Sequence, residues 1–107
     1  MSIIPHLING ERVTAGERRA DVYNPSLGQV SAQVELASRA TVQQAIDAAK
    51  AAFPAWRNTP PAKRAQVLFR FKQLLEENQD SIARLISQEH GKTIEDALGE
   101  LKRGIEN

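Results

Sequence analysis

The stretch SQEHGKTIEDALGE, residues 87–100, decides how the second half of the chain folds. Its Gly91-Lys92-Thr93 triplet is the usual ending of a phosphate-binding loop, but such a loop needs a second glycine five positions earlier, where Ile86 stands. Gly91 can instead adopt the left-handed conformation that ends a helix, and Thr93 with Asp96 has the spacing of a capping box. The stretch is predicted to join two helices. A nucleotide-binding domain, with ATP binding that depends on Lys92, is the alternative.

Apolar residues recur at offsets of three and four on both sides of this joint. The pattern predicts helices at about 41–57, 60–77, 79–90 and 94–107. Thr41 and Thr59 are predicted to cap the first two of them. Gly99 and Gly104 lie inside the last helix and indicate that another backbone or a ligand comes close there.

The chain before residue 41 has the signals of short strands. Asn9-Gly10 lies between two half-apolar runs, which is the strongest short-range signal of a β-hairpin. Arg18 and Arg19 are interpreted as a hairpin edge. A later strand is expected to bury alternate residues, namely Val30, Ala32, Val34 and Leu36. Residues 6–36 are therefore predicted to form β-hairpins, and the whole piece to be helix-rich with short antiparallel β-hairpins.

Composition excludes several classes of function. The 14 Lys and Arg residues balance 13 Asp and Glu residues and are interspersed with them, so neither nucleic acid nor a membrane is predicted as a partner. The chain has no cysteine, which excludes a disulfide, a cysteine-ligated zinc and a cysteine nucleophile within it. It has no long apolar run and no signal-peptide pattern, so a cytoplasmic location is expected.

Other polar residues have ordinary explanations. His6 and His90 are far apart in sequence, and a histidine at a helix end suits the helix dipole, so no metal site is predicted. Four acidic residues near the joint could form paired carboxylates for acid–base chemistry: Glu89, Glu95, Asp96 and Glu100. The dipole at a helix start explains carboxylates there without chemistry.

Arg103 is the candidate binding residue. At 100° per residue it projects about 180° from the apolar stripe of the last helix, and Gly99, one turn before it, leaves space beside it. The alternative is an arginine that faces solvent and pairs with Glu100.

Several short segments, in this order and with these separations, resemble the N-terminal portion of the aldehyde dehydrogenase superfamily. They run over nearly the whole chain: Ile8-Asn9-Gly10-Glu11, Val22-Tyr23-Asn24-Pro25-Ser26-Leu27-Gly28-Gln29-Val30, Ala48-Ala49-Lys50-Ala51-Ala52-Phe53-Pro54-Ala55-Trp56, Arg64, Leu74-Leu75-Glu76 and Glu89-His90-Gly91-Lys92. Within the superfamily, Glu89 to Thr93 followed by Gly99 to Asn107 is most similar to the CoA-acylating methylmalonate-semialdehyde dehydrogenases.

The resemblance implies an α/β enzyme in which residues 1–107 are the N-terminal fragment of the cofactor-binding domain. It implies a homo-oligomer, a tetramer, that uses NAD and CoA to convert methylmalonate or malonate semialdehyde to propionyl- or acetyl-CoA, in valine or inositol catabolism. The family's cysteine nucleophile must then lie beyond Asn107, so this chain alone is expected to be inactive and to bind neither cosubstrate. Its expected partners are the rest of the enzyme and the semialdehyde acid.

The resemblance also gives Arg103 a role. The family's arginine in the Arg-Gly-Ile-Glu segment is implicated in holding the substrate carboxylate, and it corresponds to Arg103. A guanidinium binds a carboxylate through two parallel hydrogen bonds. A non-catalytic helical interaction or oligomerisation module is the alternative function for the whole chain.

Overall fold

The computed structural model describes residues 1–16 and 18–107, which contain short strands followed by helices. The strands are β1 (Ser2–Ile4), β2 (His6–Ile8), β3 (Glu11–Val13), β4 (Arg18–Asn24) and β5 (Gln29–Leu36). The helices are α1 (Arg39–Asn58), α2 (Pro61–Glu77), α3 (Gln79–His90) and α4 (Ile94–Glu106). The predicted helix-rich fold class with short hairpins is confirmed.

The chain forms two compact units. The first comprises Met1–Tyr23 with Val30–Thr59, and the second comprises Asn24–Gln29 with Pro60–Asn107. The first unit contains the strands and α1, and the second contains the remaining helices and the turn that follows β4.

The Asn-Gly signal correctly predicts the hairpin of β2 and β3. The two strands pair antiparallel, with Ile8 opposite Glu11 and His6 opposite Val13. Asn9 and Gly10 have φ values of 52° and 77°, as a type I′ turn requires at both of its central positions.

Strand β1 was not predicted. It pairs in parallel with β5, with Ser2 opposite Ala32 and Ile4 opposite Val34, and the order of this sheet is β1-β5-β4. Strand β4 is therefore at an edge, as expected for Arg18 and Arg19. Three residues that pair with a strand thirty positions away carry no local signal, because parallel pairing needs a long connection.

The burial of β5 differs from the predicted alternation. Ala32 is buried as expected, but Leu36 is 39% exposed, and the buried residue near the end of the strand is Glu35. Strands that are covered unevenly on their two faces do not show the simple period of two on which the prediction rested.

The predicted caps of the first two helices are wrong. Helix α1 begins two residues earlier than expected, because Ser38 is its N-cap and the Ser38 Oγ accepts from the Thr41 N–H at 3.1 Å. The Thr59 hydroxyl donates back to the Ala55 carbonyl at 2.8 Å and so closes α1. Pro60 precedes α2 without a side-chain cap, since a proline in the first turn has no N–H that needs one.

The second unit is built around small residues. Helices α3 and α4 pack against each other, and α2 contacts α4. Ala83 on α3 and Ala97 on α4 are fully buried, and residues this small let two helix backbones approach closely. Among the described helices, none combines the length and the hydrophobicity needed to span a bilayer.

Candidate functional site

The joint between α3 and α4 is the centre of the candidate site. Helix α3 ends at His90, and Gly91 follows in the left-handed conformation with φ 86°. The Gly91 N–H donates to the Ser87 carbonyl at 2.8 Å, which closes the last turn of α3. A β-carbon at Gly91 would lie only 3.1 Å from Cγ of Pro25. Both the backbone conformation and the short distance to Pro25 therefore favour glycine at this position.

The polar groups of the triplet have structural partners. The Ser87 hydroxyl donates to the Lys92 carbonyl at 2.7 Å. The Thr93 Oγ1 accepts from the Asp96 N–H at 3.2 Å and caps α4. The predicted helix joint is confirmed. The phosphate-loop alternative is wrong, because the triplet follows helix α3 and not a strand, and Ile86 stands where the loop needs its second glycine.

Lys92 is paired with Glu100, one to two turns into α4. The Lys92 Nζ lies 2.5 Å from a carboxylate oxygen of Glu100. The hydrogen bond and positive charge of Lys92 lower the pKa of Glu100 below its ordinary value of 4.5; partial desolvation opposes this effect, and His90 and Arg103 reinforce it. Lys92 in the joint is therefore the partner that stabilises the charged form of Glu100 most.

Arg103 lies in the last turn of α4 and is exposed. Its carbonyl accepts from the side chain of Asn107 at 2.9 Å, whereas its guanidinium has no ion pair with any residue that the structure describes. The expected alternative of an Arg103–Glu100 pair is wrong, because Glu100 binds Lys92 instead. A guanidinium at the C-terminal end of a helix also interacts favourably with the helix dipole.

Gly99 and Gly104 line two open clefts on α4. Gly99 borders a cavity of about 360 Å³ with Leu98 and Lys102, and Gly104 borders one of about 440 Å³ with Phe69 and Ile105. A β-carbon at either glycine would meet no atom within 4 Å among the described residues. Arg103 lines neither cleft.

The other candidate residues do not converge on one site. Glu95 and Asp96 occupy the first turn of α4, where the dipole favours acidic residues. His90 ends α3, and His6 is in the other unit on β2. Within residues 1–16 and 18–107, no three His, Cys, Asp or Glu side chains are grouped to hold a metal ion.

The first unit contains a buried carboxylate that the sequence does not reveal. Glu35 is 4% exposed, and its Oε2 accepts from the Ala15 and Gly16 N–H groups at 2.7 and 3.3 Å. Its Oε1 lies 3.6 Å from the Arg19 guanidinium. No local signal could have revealed it, because these partners lie 16 to 20 residues earlier in the chain.

The charge on Glu35 is stabilised despite its burial. Desolvation raises the pKa of Glu35, but the two backbone hydrogen bonds, Arg19 and then His6 together outweigh it, and the net pKa is below 4.5. The group is a structural anchor for the loop before β4.

Comparison with known proteins identifies a family. Residues 13–107 match the model of the aldehyde dehydrogenase family. The chain is 68% identical over its whole length to a malonate-semialdehyde dehydrogenase of Pseudomonas aeruginosa, of which it covers 22%. The chain thus spans less than a quarter of the length of this relative.

Solved structures agree with this result. A methylmalonate-semialdehyde dehydrogenase of Oceanimonas doudoroffii matches 99% of the chain with a TM-score of 0.97 and 59% identity, over 22% of that structure. A Sinorhizobium meliloti protein described as a methylmalonate-semialdehyde dehydrogenase and solved with NAD matches 99% of the chain with a TM-score of 0.96 and 44% identity, also over 22%.

Proposed function

The chain belongs to the aldehyde dehydrogenase family, and we propose that it is the N-terminal part of an NAD-dependent, CoA-acylating semialdehyde dehydrogenase. The complete enzyme would convert methylmalonate or malonate semialdehyde to propionyl- or acetyl-CoA with release of carbon dioxide. The observation that carries this proposal is the 68% identity, over all 107 residues, to a malonate-semialdehyde dehydrogenase.

In this proposal Arg103 binds the carboxylate of the substrate. Its guanidinium is exposed on α4, and no carboxylate of the described residues pairs with it. A semialdehyde acid differs from an ordinary aldehyde by its carboxylate, and a planar guanidinium is the side chain that best recognises that group. Arg103 would therefore determine specificity and would not take part in bond breaking.

The remaining chemistry is assigned to the rest of the enzyme. The chain contains no cysteine, so the thiolate that attacks the aldehyde must come from elsewhere. NAD, when bound, would supply the hydride acceptor for oxidation of the carbon that the thiolate has attacked, and CoA would supply the thiol that receives the acyl group. The joint at Gly91 does not fit a nucleotide phosphate because Thr93 and Lys92 bind other groups of this chain. We therefore expect the isolated chain to be inactive.

We also propose a cytoplasmic location and an assembly for the complete enzyme. The absence of a signal-peptide pattern in the chain supports the location. We propose that the enzyme assembles as a homotetramer and that residues 1–107 belong to its cofactor-binding domain.

The test uses the complete enzyme and the variant Arg103→Leu. Loss of a charge-assisted double hydrogen bond should lower kcat/KM for malonate semialdehyde roughly ten- to hundredfold, mostly through KM. The activity with propanal, which has no carboxylate, should not change. NADH formation measures both rates, and mass spectrometry of the acyl-CoA identifies the product.

Two further variants sharpen this test. Arg103→Lys keeps the charge but loses the planar guanidinium, so its kcat/KM for malonate semialdehyde should lie between those of the wild type and Arg103→Leu. Lys102→Leu removes the neighbouring cation, which points about 100° away on the helix, and should leave KM unchanged. A wild-type KM for malonate semialdehyde in Arg103→Leu would refute the role of Arg103, and a free acid without acyl-CoA would refute the reaction.

A further inference from the structure

Two cations lie close to the same carboxylate at the start and end of α4. Lys92, in the joint, binds Glu100, and the side chains of the pair are 24% and 48% exposed. Arg103 also acts on the charge of Glu100 but makes no ion pair with it. The carboxylate of Glu100 thus forms its ion pair with Lys92 and not with Arg103.

Helix geometry makes the other pairing available. Glu100 precedes Arg103 by three residues, and side chains at this spacing are neighbours on a helix surface. An acidic residue on the N-terminal side of a basic one is the favoured order of such a pair. Without Lys92, the carboxylate of Glu100 would therefore turn to the guanidinium of Arg103.

A carboxylate on Arg103 would compete with the substrate. The guanidinium offers one planar edge for two parallel hydrogen bonds, and a side-chain carboxylate occupies it as well as a substrate carboxylate does. Glu100 would also cancel the positive charge that attracts an anionic aldehyde. The pairing with Lys92 leaves that edge unoccupied, and the charge of Lys92 offsets the negative charge of Glu100, which reduces the second effect.

We infer that Lys92 is a positioning residue that holds Glu100 away from Arg103 and so keeps the guanidinium open for the carboxylate of the substrate. This inference rests on the proposed function of Arg103. It gives the conspicuous lysine of the Gly91-Lys92-Thr93 triplet a role that does not involve phosphate.

The experiment uses the complete enzyme with Lys92→Gln. KM for malonate semialdehyde should rise about two- to fivefold, the effect expected of a partly exposed ion pair that now competes for Arg103. The kcat with malonate semialdehyde and both constants with propanal should stay the same. Lys92→Arg keeps the cation beside Glu100 and should behave as the wild type.

Rescue distinguishes positioning from a general loss of structure. Lys92→Gln combined with Glu100→Gln should return KM to the wild-type value, because the competing charge is gone. Lys92→Gln combined with Glu106→Gln is the matched control, since Glu106 also lies three residues from Arg103 but does not bind Lys92; it should keep the raised KM. An unchanged KM in Lys92→Gln, or no rescue by Glu100→Gln, would overturn the inference.

The two proposals fail in distinguishable ways. In an Arg103→Leu background, Lys92→Gln should cause no further change in KM, because no guanidinium remains to be blocked. If Arg103→Leu alone leaves KM unchanged, the substrate-binding role of Arg103 is wrong, and the inference about Lys92 is wrong with it. If Arg103→Leu raises KM and Lys92→Gln does not, only the positioning role of Lys92 is wrong.

Discussion

At the scale of single residues, Glu35 is a buried charged group among the described residues of the first unit. Its side chain is almost completely buried, and it accepts hydrogen bonds from two consecutive backbone N–H groups, of Ala15 and Gly16. A buried carboxylate is tolerated only when such partners replace water. The loop before β4 therefore depends on one negative charge supplied by β5.

Glu35→Gln should lower the melting temperature of the complete enzyme at pH 7 by about 2 °C, because the amide keeps the shape but loses the charge. The folded-state pKa of Glu35 is depressed, so its stabilising effect is present above pH 4.5 and disappears as pH falls through the lowered pKa. The difference between variant and wild type should therefore shrink below pH 4.5. Melting curves from pH 3.5 to 7 check this.

Glu11→Gln is the control, because Glu11 is an exposed carboxylate on β3. It should melt as the wild type does at every pH. If the difference in melting temperature between Glu35→Gln and the wild type stays the same below pH 4.5, the assigned role of the charge is wrong.

Single residues differ in how far the sequence reveals them. The exposure of Arg103 and the left-handed Gly91 could be predicted, because each depends on its own helix or helix end. The burial of Glu35 and the pairing of Lys92 with Glu100 could not, because they depend on side chains brought together by the fold. The spacing of residues predicts which side chains can come into contact. It does not predict which of the possible ion pairs forms.

At the scale of elements, the joint between α3 and α4 depends on a contact with the turn after β4. Cγ of the Pro25 ring lies 3.1 Å from the position that a β-carbon at Gly91 would take. The turn itself is held by its own hydrogen bonds, from the Ser26 N–H to Asn24 Oδ1 and from the Gly28 N–H to the Asn24 carbonyl.

Gly91→Ala should therefore destabilise the complete enzyme more than Gly28→Ala does. Both glycines have a positive φ, so each alanine costs about 1–2 kcal/mol of backbone strain. Only at Gly91 does the new β-carbon also come within 3.1 Å of Pro25, so that the ring must move slightly, since nothing lies within 4 Å of one at Gly28 among the described residues. Thermal melting of the two variants measures the difference.

The double variant Pro25→Ala with Gly91→Ala isolates the collision. It should recover part of the stability lost in Gly91→Ala, because a smaller side chain opposes the new β-carbon. If Gly91→Ala and Gly28→Ala lower the melting temperature equally, the short distance to Pro25 has no effect on stability.

Elements with local signals could be predicted, and elements with distant partners could not. The Asn9-Gly10 turn and the apolar stripes of the helices are encoded within a few residues. The cap of α1 was misassigned to Thr41 because Ser38 and Thr41 are both good N-cap residues, and their hydroxyls in fact bond to each other at 3.0 Å.

At the scale of the whole molecule, the described residues bury few apolar side chains. The buried apolar residues are Ile8, Ala32, Ala83 and Ala97. Large side chains are exposed instead, among them Phe53 at 58%, Leu68 at 64% and Phe69 at 69%. In each unit, exposed apolar surface of this kind is typical of segments that pack against other polypeptide.

The isolated chain should therefore bind a hydrophobic dye such as ANS strongly and self-associate, whereas the complete enzyme should not. Dye fluorescence and sedimentation velocity of both proteins at equal mass concentration check this. The matched variant Phe69→Lys should reduce dye binding by the isolated chain, since it removes the most exposed of its phenylalanines. A monomer that melts sharply and binds no dye would contradict the interpretation that another polypeptide covers these side chains.

The pairing of β1 with β5 sets the order in which the first unit assembles. Two residues connect the strands of the β2–β3 hairpin, whereas the pairing of β1 with β5 joins Ser2 to Ala32, thirty positions later in the chain. Closing the longer loop costs more chain entropy for only three paired positions. Strand β1 should dock last during folding and detach first in the native protein, so its amide hydrogens should exchange with solvent earlier than those of β5.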